Sequence, residues 1–362
     1  MKELQNLGWN AELAAAFEEQ QREGCQPARI SAQEREGYRL ITACGEYPAT
    51  MSGRMHHEAH HTENVPAVGD WAVASVHPES GFARIHSLLP RRTALRRKLS
   101  AERVIAPQVV AANIDTVFIA TSANRDFNPR RIERLLTLVW ESRARPVLLL
   151  TKVDLVDDPE PYLERARAIA WGTPVHAVSA HAGLGLEVLN DYLEAGATIV
   201  LLGTSGVGKS TLTNHLVGES RMYVNAVRAD DDRGRHTTTA RHLLSLPGGG
   251  AIIDTPGLRA VSLWAADEGL QTTFGDIEEL AGACRFGDCA HQGEPGCAVE
   301  AAVADGQLEA DRLAAYFKLQ RELQHLDNKR SQQSASASKR RWKAQSKLIR
   351  RSQKTQKRQW EQ

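Results

Sequence analysis

Short apolar runs alternate with segments of helical periodicity along the middle of the chain. Alternation of this kind predicts a parallel sheet with helices on both faces, which is an α/β fold. The predicted strands are Thr116–Thr121, Pro146–Leu150, Pro174–Val178, Thr198–Leu202 and Ala251–Ile253. The predicted helices are Arg130–Ser142, Pro159–Trp171 and Leu186–Leu193.

The preceding segment has a different pattern. From about Tyr38 to Leu99, short alternating runs are separated by Gly, Pro, Asn and Asp, which predicts strands and turns. The length fits a small barrel of the OB-fold type. The stretch Met51–Asn64 is expected to be a long polar loop, and residues 1–34 are expected to form a polar extension with one short helix around Ala11–Glu23.

The C-terminal part combines a Cys- and His-rich loop, one predicted helix at Leu308–Asp327 and a basic tail. The net charge of +1 hides an asymmetry, because the chain from Asn328 onward holds 12 Lys or Arg and a single acidic residue, Glu361. Such a tail, with Trp342 and Trp360 among the cations, favours binding to the phosphates of RNA. The alternative is a disordered tail that only improves solubility.

Two classes of protein are disfavoured. No apolar run approaches the roughly 20 residues that span a bilayer, and the N-terminus lacks the basic and then apolar pattern of a signal peptide. A soluble, cytoplasmic protein without membrane association is therefore expected.

A glycine-rich segment follows the predicted strand Thr198–Leu202 and fits the complete phosphate-binding loop pattern. Its backbone N–H groups and the positive end of the following helix favour an anion. Lys209 is expected to reach the outer phosphates, and Ser210 to bind Mg²⁺. The nucleotide-binding residues predicted here are Gly203, Thr204, Ser205, Gly206, Val207, Gly208, Lys209, Ser210 and Thr211.

Asp254 and Gly257 belong to an Asp-Thr-Pro-Gly sequence that follows the predicted strand Ala251–Ile253. A carboxylate at that position can hold Mg²⁺ directly or through water, and the Gly257 amide can point to a γ-phosphate. The pattern alone is weak, since it also describes an ordinary turn. Its position after a strand and downstream of the glycine-rich loop favours the nucleotide-binding interpretation.

The segment Thr151, Lys152, Val153 and Asp154 resembles the [Asn/Thr]-Lys-x-Asp guanine-recognition motif of GTPases. A carboxylate at Asp154 can accept both N–H donors of the guanine edge, and adenine offers no such pair. Ser179 and Ala180, after the next predicted strand, complete the set with a backbone amide for the guanine oxygen. These motifs precede the phosphate loop, whereas the order is reversed in Ras-like GTPases, so the fold is expected to be circularly permuted.

Between the phosphate loop and Asp254 lies a polar segment, Asp230–Arg241, which is a candidate switch loop. A switch loop needs a Thr hydroxyl for Mg²⁺ and an amide for the γ-phosphate. Thr238 is the predicted ligand, with Thr237 and Thr239 as alternatives. Leu258 replaces the Gln that orients water in Ras, so His236 is a candidate for positioning the water. A plain surface loop with a solvated His is the alternative.

Cys284, Cys289, His291 and Cys297 fall within 14 residues. Three thiolates and one imidazole match a closed, tetrahedral structural zinc site, which leaves no open position for chemistry. Buried free cysteines are the alternative. The cluster His56, His57, His60 and His61 is expected to be solvated.

Together these motifs resemble one family, the circularly permuted, small-ribosomal-subunit-dependent GTPases known as RsgA or YjeQ. The resemblance covers about residues 35–327 and includes Val65–Trp71, VPAVGDW. It implies an OB-fold, a permuted GTPase domain with Mg²⁺ and GTP, and a domain with one structural Zn²⁺. It also implies late maturation of the small (30S) ribosomal subunit, rRNA binding, and GTP hydrolysis that the subunit stimulates and that is coupled to release.

The sequence therefore predicts a monomer with five segments. They are an N-terminal extension (1–34), an OB-fold barrel (35–103), a circularly permuted P-loop GTPase domain (104–262), a mainly helical zinc-binding domain (263–328) and a basic tail (329–362). Two other functions stay open: an RNA-binding assembly factor that holds GTP as a structural ligand, and a GTPase switch for a protein partner.

Overall fold

The structure is a computed structural model that describes residues 1–20, 22–34, 36–58, 64–101, 104–218, 241–254, 267–329 and 331–332. Its strands are β1 (Cys25–Gln33), β2 (Tyr38–Thr42), β3 (Gly45–Met51), β4 (Trp71–His77), β5 (Phe82–Leu88), β6 (Ala94–Ala101), β7 (Val104–Ala112), β8 (Thr116–Ser122), β9 (Arg145–Thr151), β10 (Val175–Val178), β11 (Thr198–Gly203), β12 (Arg241–Ser245) and β13 (Ala251–Asp254).

The helices are α1 (Lys2–Asn6), α2 (Ala11–Gln20), α3 (Gly53–Glu58), α4 (Pro129–Glu141), α5 (Glu160–Ile169) and α6 (Lys209–Val217), followed by Asp267–Thr273, Gly275–Ala281, Ala298–Ala304 and residues 310–329. Part of the stretch predicted as a polar loop is thus helix α3. The predicted helix Leu186–Leu193 is a 3₁₀ helix, Glu187–Tyr192. No helix in the described ranges is long and apolar enough to cross a membrane.

Strands β1 to β5 form a closed barrel. Their order is β1-β2-β3-β5-β4, and β4 pairs back onto β1. Neighbours are antiparallel except β3 and β5, which run parallel, and the pairing of β4 with β1 closes the barrel. Small and branched side chains alternate into the interior, which is why the short strands can curl around one core. This five-stranded arrangement confirms the predicted OB-fold.

The barrel begins and ends earlier than the sequence patterns suggested. Its first strand, Cys25–Gln33, lies within the predicted N-terminal extension, and its last strand ends at Leu88. Ala94–Ala101 pairs with Val104–Ala112 in a separate hairpin, so a boundary at residue 103 would divide that hairpin. The reason is that a strand belongs to the sheet that supplies its hydrogen-bonding partners, which local patterning does not reveal.

The central domain is a sheet ordered β10-β9-β8-β11-β13-β12, with α-helices packed against it. All neighbours in this order are parallel except β12, which runs antiparallel to β13. The strand Thr116–Ser122 is buried along its whole length, as expected where helices cover both faces. The predicted α/β architecture is confirmed.

The barrel and the central sheet are joined by strand pairing. Strand β12 pairs with β13 on one side and with barrel strand β1 on the other, which makes one continuous sheet of eleven strands. The two domains therefore share backbone hydrogen bonds, a more directional link than side-chain packing alone.

Arg29 lies at the same junction and is 1% exposed. Its guanidinium donates to the Leu7 carbonyl, to the Asn113 carbonyl and to Thr198 Oγ1, and it stacks over the ring of Trp71 at 5.0 Å. Burial lowers its pKa to about 10. One buried cation thus ties the N-terminal helix, the barrel and the central sheet together.

The C-terminal domain is helical and docks on α4. Arg312 forms a bidentate pair with Asp276, at 2.6 and 2.8 Å, and lies 4.7 Å from the ring centre of Phe274. The same guanidinium donates to Glu133 Oε1 on α4 at 3.3 Å. A buried charge cluster therefore bridges the two domains.

Glu133 is the second carboxylate on that single cation, and it is 3% exposed. Among the described residues, its Oε2 atom has no hydrogen-bond partner. Burial raises the pKa of Glu133 to about 7, although Arg312 and Arg130 oppose the shift and Asp276 adds to it. The folded protein therefore holds a proton at this carboxyl that the unfolded chain releases near pH 4.5.

We expect Glu133 to make the free energy of unfolding depend on pH. Because its folded pKa exceeds its unfolded value, its contribution to stability falls as the pH rises from about 4.5 to about 7 and is constant above that range. Glu133→Gln should gain stability relative to the parent across this window, as measured by chemical denaturation at several pH values. A pH-independent difference would contradict the assignment, and Glu164→Gln, at an exposed site on α5, is the matched control.

Candidate nucleotide-binding site

Four strands bring the predicted nucleotide motifs to one edge of the sheet. The strands β9, β10, β11 and β13 all run in the same direction, and a predicted motif lies at or directly after the carboxyl end of each. Open α/β sheets bind ligands at this edge. The permuted order along the chain therefore still brings these segments to one edge of the sheet.

The glycine-rich loop turns sharply out of β11. A Cβ on Gly203 would lie 2.5 Å from the Ala120 carbonyl of the adjacent strand, so only glycine allows this close approach. Gly208 has φ +106° and immediately precedes helix α6, which starts at Lys209. The left-handed geometry turns the backbone into the helix, whose first N–H groups point towards the space where phosphates would bind.

Lys209 folds back over this loop. Its Nζ donates to the carbonyls of Gly203, at 2.8 Å, and Thr204, at 2.6 Å. The ammonium is thus held beside the loop and within reach of an anion there. Ser210 is the second residue of α6, and Asp254 is the last residue of β13, the parallel neighbour of the strand that leads into the loop.

Thr151 connects the guanine motif to the phosphate loop. Its buried hydroxyl lies 2.7 Å from the Val207 carbonyl and 3.2 Å from the Thr121 carbonyl. The hydroxyl carries one hydrogen, and the shorter distance assigns the main bond to Val207. Sequence reasoning grouped Thr151 with the nucleotide-binding residues but missed its partner, because 56 residues separate the two.

After Thr151, the backbone of the guanine motif turns away from the sheet. Lys152 has φ +59°, and a short 3₁₀ helix, Val153–Leu155, follows it. Asp154 is exposed, while Lys152 and Val153 are half-buried. Asp154 therefore lies in an exposed turn directly after the strand end.

Ser179 starts a tight turn after β10. Its N–H bonds the Leu184 carbonyl, and its Oγ accepts from the Ala182 N–H at 3.1 Å. Ala180 packs against the apolar cluster beneath the turn. The predicted Ser-Ala pair is thus fixed next to β9, whose Thr151 pairs with Val178.

Some predicted site residues lie outside the described part of the chain. They are Gly257, His236 and Thr238, together with the alternatives Thr237 and Thr239 and the position Leu258. These assignments stay predictions.

The three cysteines and His291 come together in the C-terminal domain, and their ligand atoms all lie within 4.8 Å of one another. His291 Nδ1 is 3.6 Å from the Cys284 sulfur and 3.4 Å from the Cys297 sulfur, and those two sulfurs are 4.0 Å apart. A tetrahedral zinc ion with bonds of about 2.3 Å to sulfur and 2.0 Å to nitrogen requires edges of about 3.5 to 3.8 Å. The three separations are close to these edges, so the predicted ligands form a cluster that could hold a metal ion.

Backbone N–H groups hold two sulfur atoms of this cluster in place. The N–H of Ala298 donates to Cys284 Sγ at 3.3 Å, and the N–H of Glu300 donates to Cys297 Sγ at 3.4 Å. The second bond also caps the helix Ala298–Ala304. Donors of this kind stabilise thiolates and hold them in orientation, which suits a metal ligand.

The sequence itself has close relatives. It is 45% identical over 349 residues to a small ribosomal subunit biogenesis GTPase RsgA of Opitutus terrae, covering 94% of this chain and 95% of that protein. It is also 45% identical to the RsgA of Streptomyces coelicolor, covering 89% and 87%. The sequence profile of the family described as RsgA GTPase matches residues 88–264. The chain belongs to the RsgA GTPase family.

Solved structures share the fold. YjeQ of Thermotoga maritima superimposes with a TM-score of 0.59 at 23% identity, over 83% of this chain and 98% of that one. YloQ, described as a circularly permuted GTPase, gives 0.57 at 23% identity, over 84% and 96%. Family membership makes this RsgA-type chain a GTP-hydrolysing enzyme that uses Mg²⁺ with GTP, and its fold is the circularly permuted one that the motif order predicted.

We expect Thr151→Val to weaken GDP binding about tenfold, because the lost bond leaves a buried Val207 carbonyl unsatisfied and loosens the phosphate loop. Thr151→Ser keeps the hydroxyl and should stay close to the parent. Affinity is measured with a fluorescent GDP analogue, alongside the thermal midpoint. Equal affinities for the Val and Ser variants would show that the bond does not hold the loop.

Proposed function

We propose that this enzyme binds the small ribosomal subunit and its rRNA, assists late maturation of the subunit, and is released when GTP is hydrolysed. One observation carries the proposal. A guanine motif and a phosphate loop are joined by the bond between Thr151 and Val207, in a chain that matches small ribosomal subunit biogenesis GTPases over nearly its whole length.

Each site residue has a role in this proposal. The loop amides and Lys209 hold the phosphates, and the Asp154 carboxylate reads the guanine N–H groups. Ser179 and Ala180 present a backbone amide to the guanine oxygen. Ser210, Asp254 and Thr238 form the magnesium site.

The chemistry of the donors fits that ion. Ser210 and Asp254 supply a hydroxyl and a carboxylate oxygen from adjacent parts of the same sheet edge, and Mg²⁺ prefers hard oxygen ligands together with phosphate oxygens. When bound, the ion neutralises negative charge on the phosphates. The protein contributes the fixed positions of these oxygens.

Water activation is assigned to the segment after the phosphate loop. Because Leu258 stands where Ras has Gln, we propose that His236 positions the attacking water. A site without that Gln hydrolyses GTP slowly by itself, which leaves room for the ribosomal subunit to accelerate the reaction.

We assign binding of the ribosomal subunit to the remaining segments of the chain. We propose that the barrel and the C-terminal domain contact rRNA, and that the tail from residue 329 onward adds phosphate contacts through its Lys and Arg residues. The strands of the barrel run from Cys25 to Leu88. We propose that the GTPase domain ends at about residue 262 and that the zinc domain covers residues 263–328. We place the enzyme in the cytoplasm as a monomer.

The Cys₃His cluster is proposed to hold one structural Zn²⁺. Four protein ligands complete a tetrahedron, so no position is open for substrate. The ion would bind the loop 284–297 to the start of the helix Ala298–Ala304, and this domain docks on the GTPase domain through Arg312.

We expect purified small subunits to stimulate phosphate release from GTP by about tenfold or more, because a bound partner can hold the segment with His236 in the arrangement that positions the attacking water. Release is measured with and without subunits, and large subunits are the control. Lys209→Ala should reduce both rates to near background. Unchanged turnover with subunits would contradict the stimulation, and phosphate release at background level under both conditions would favour a factor that holds GTP as a structural ligand.

We expect one zinc ion per chain, measured by elemental analysis of the purified protein. Cys289→Ser should lower the zinc content and the thermal midpoint, because structural zinc contributes directly to folding. Cys44→Ser, at an exposed cysteine of the barrel, is the matched control and should change neither. Full zinc content in the Cys289 variant would exclude that ligand.

A further inference from the structure

The hairpin formed by β12 and β13 is held by the N-terminal part of the chain at both ends. At its turn, the Gly250 N–H donates to the Asn6 carbonyl of α1 at 2.6 Å. At its open end, β12 pairs with barrel strand β1 through Ala32 and Gln33. The hairpin that carries Asp254 is therefore anchored to elements outside the GTPase domain.

At the open end of the hairpin, one residue of β12 pairs with both neighbouring strands. His242 pairs with Asp254 on β13 and with Ala32 on β1, so a single residue of β12 lies between the barrel and the proposed magnesium ligand. Arg241 is the first residue of β12 and pairs with Gln33. A displacement of β12 relative to the barrel would therefore also displace Asp254, because His242 is paired with both neighbouring strands.

The Arg241 side chain adds a second link between β12 and the barrel. It is 8% exposed, and its Nη1 donates to Gln33 Oε1 at 2.9 Å. Burial lowers its pKa to about 10, and the charge of Arg97 adds to the shift. Within the described ranges, the acceptor of this buried cation is the neutral amide oxygen of Gln33. This hydrogen bond therefore replaces a large part of the hydration that the guanidinium loses on burial.

We infer that Arg241 is a positioning residue for the GTPase reaction: bonded to Gln33 of the barrel, it fixes the open end of the hairpin and thereby the Asp254 carboxylate at the magnesium site. The inference rests on the proposed role of Asp254. It makes the barrel part of the nucleotide site, because one strand of the barrel determines where a metal ligand stands.

The coordination geometry of Mg²⁺ determines how strongly loss of this contact should weaken metal binding. Mg²⁺ demands nearly ideal octahedral geometry, so a small displacement of a carboxylate is costly. Removing a residue that bonds directly to a metal ligand lowers metal affinity by about 10- to 100-fold, and Arg241 acts on Asp254 through strand pairing, so we expect the lower end of this range. Loss of the Arg241–Gln33 bond should therefore weaken the response to Mg²⁺ while leaving base recognition, at the other end of the site, unchanged.

The experiment uses the full chain with Gln33→Leu, which removes the acceptor without touching the nucleotide site. Dissociation of a fluorescent GDP analogue is followed across a range of Mg²⁺ concentrations and in excess EDTA. Hydrogen exchange of the β12–β13 amides is measured without nucleotide. Gln33→Glu restores an acceptor, and Arg39→Gln, which breaks an exposed ion pair of the barrel, is the matched control.

We expect Gln33→Leu to require about tenfold more Mg²⁺ to slow GDP release, with faster exchange in β12 and with EDTA-state affinity within about twofold of the parent. Gln33→Glu and Arg39→Gln should keep the parent's Mg²⁺ dependence. An unchanged Mg²⁺ requirement in a folded Gln33→Leu protein would overturn the inference. A parallel loss of affinity in EDTA would also overturn it, since that indicates general damage to the fold.

Asp254→Asn separates this inference from the proposed function. If that variant loses its Mg²⁺ response while Gln33→Leu retains it, the magnesium site stands and only the positioning role of Arg241 fails. If Asp254→Asn responds to Mg²⁺ like the parent, Asp254 is not a ligand and the proposed site itself is wrong.

Discussion

The nucleotide site depends on parallel strand pairing. Strands β9, β10, β11 and β13 end along one edge, so the loops that follow them meet in space whatever their order in the chain. The bond from Thr151 to the Val207 carbonyl is where two of these loops are held in contact. Circular permutation changes which loop is synthesised first and leaves this edge intact, which explains how reordered motifs can serve one ligand.

Local chemistry made the segments of the candidate site recognisable in the sequence. The glycine-rich loop, the guanine motif and the Cys₃His spacing are short segments whose residue types are dictated by an anion, a base edge and a metal ion. The partners of Thr151 and Arg241 could not be predicted, because the hydrogen bonds join residues 56 and 208 positions apart. Strand Cys25–Gln33 was misplaced for the same reason, since its polar sequence becomes a strand through pairing with β2, β4 and β12.

Buried arginines join the parts of this protein. Arg29 connects the N-terminal helix, barrel and central sheet, and Arg312 connects the C-terminal helices to α4. A guanidinium can donate in several directions at once, which suits a point where three elements meet. Desolvation makes such a cation costly when a partner is missing, so each junction is specific for the correct arrangement of its elements.

The shared eleven-strand sheet has a consequence for dissecting the molecule. Cutting the chain after the barrel would strip β1 from β12 and leave a row of unsatisfied amides and carbonyls along an exposed border. A fragment with such a border invites self-association through added strands. The GTPase region therefore loses a strand partner of β12 when the barrel is removed.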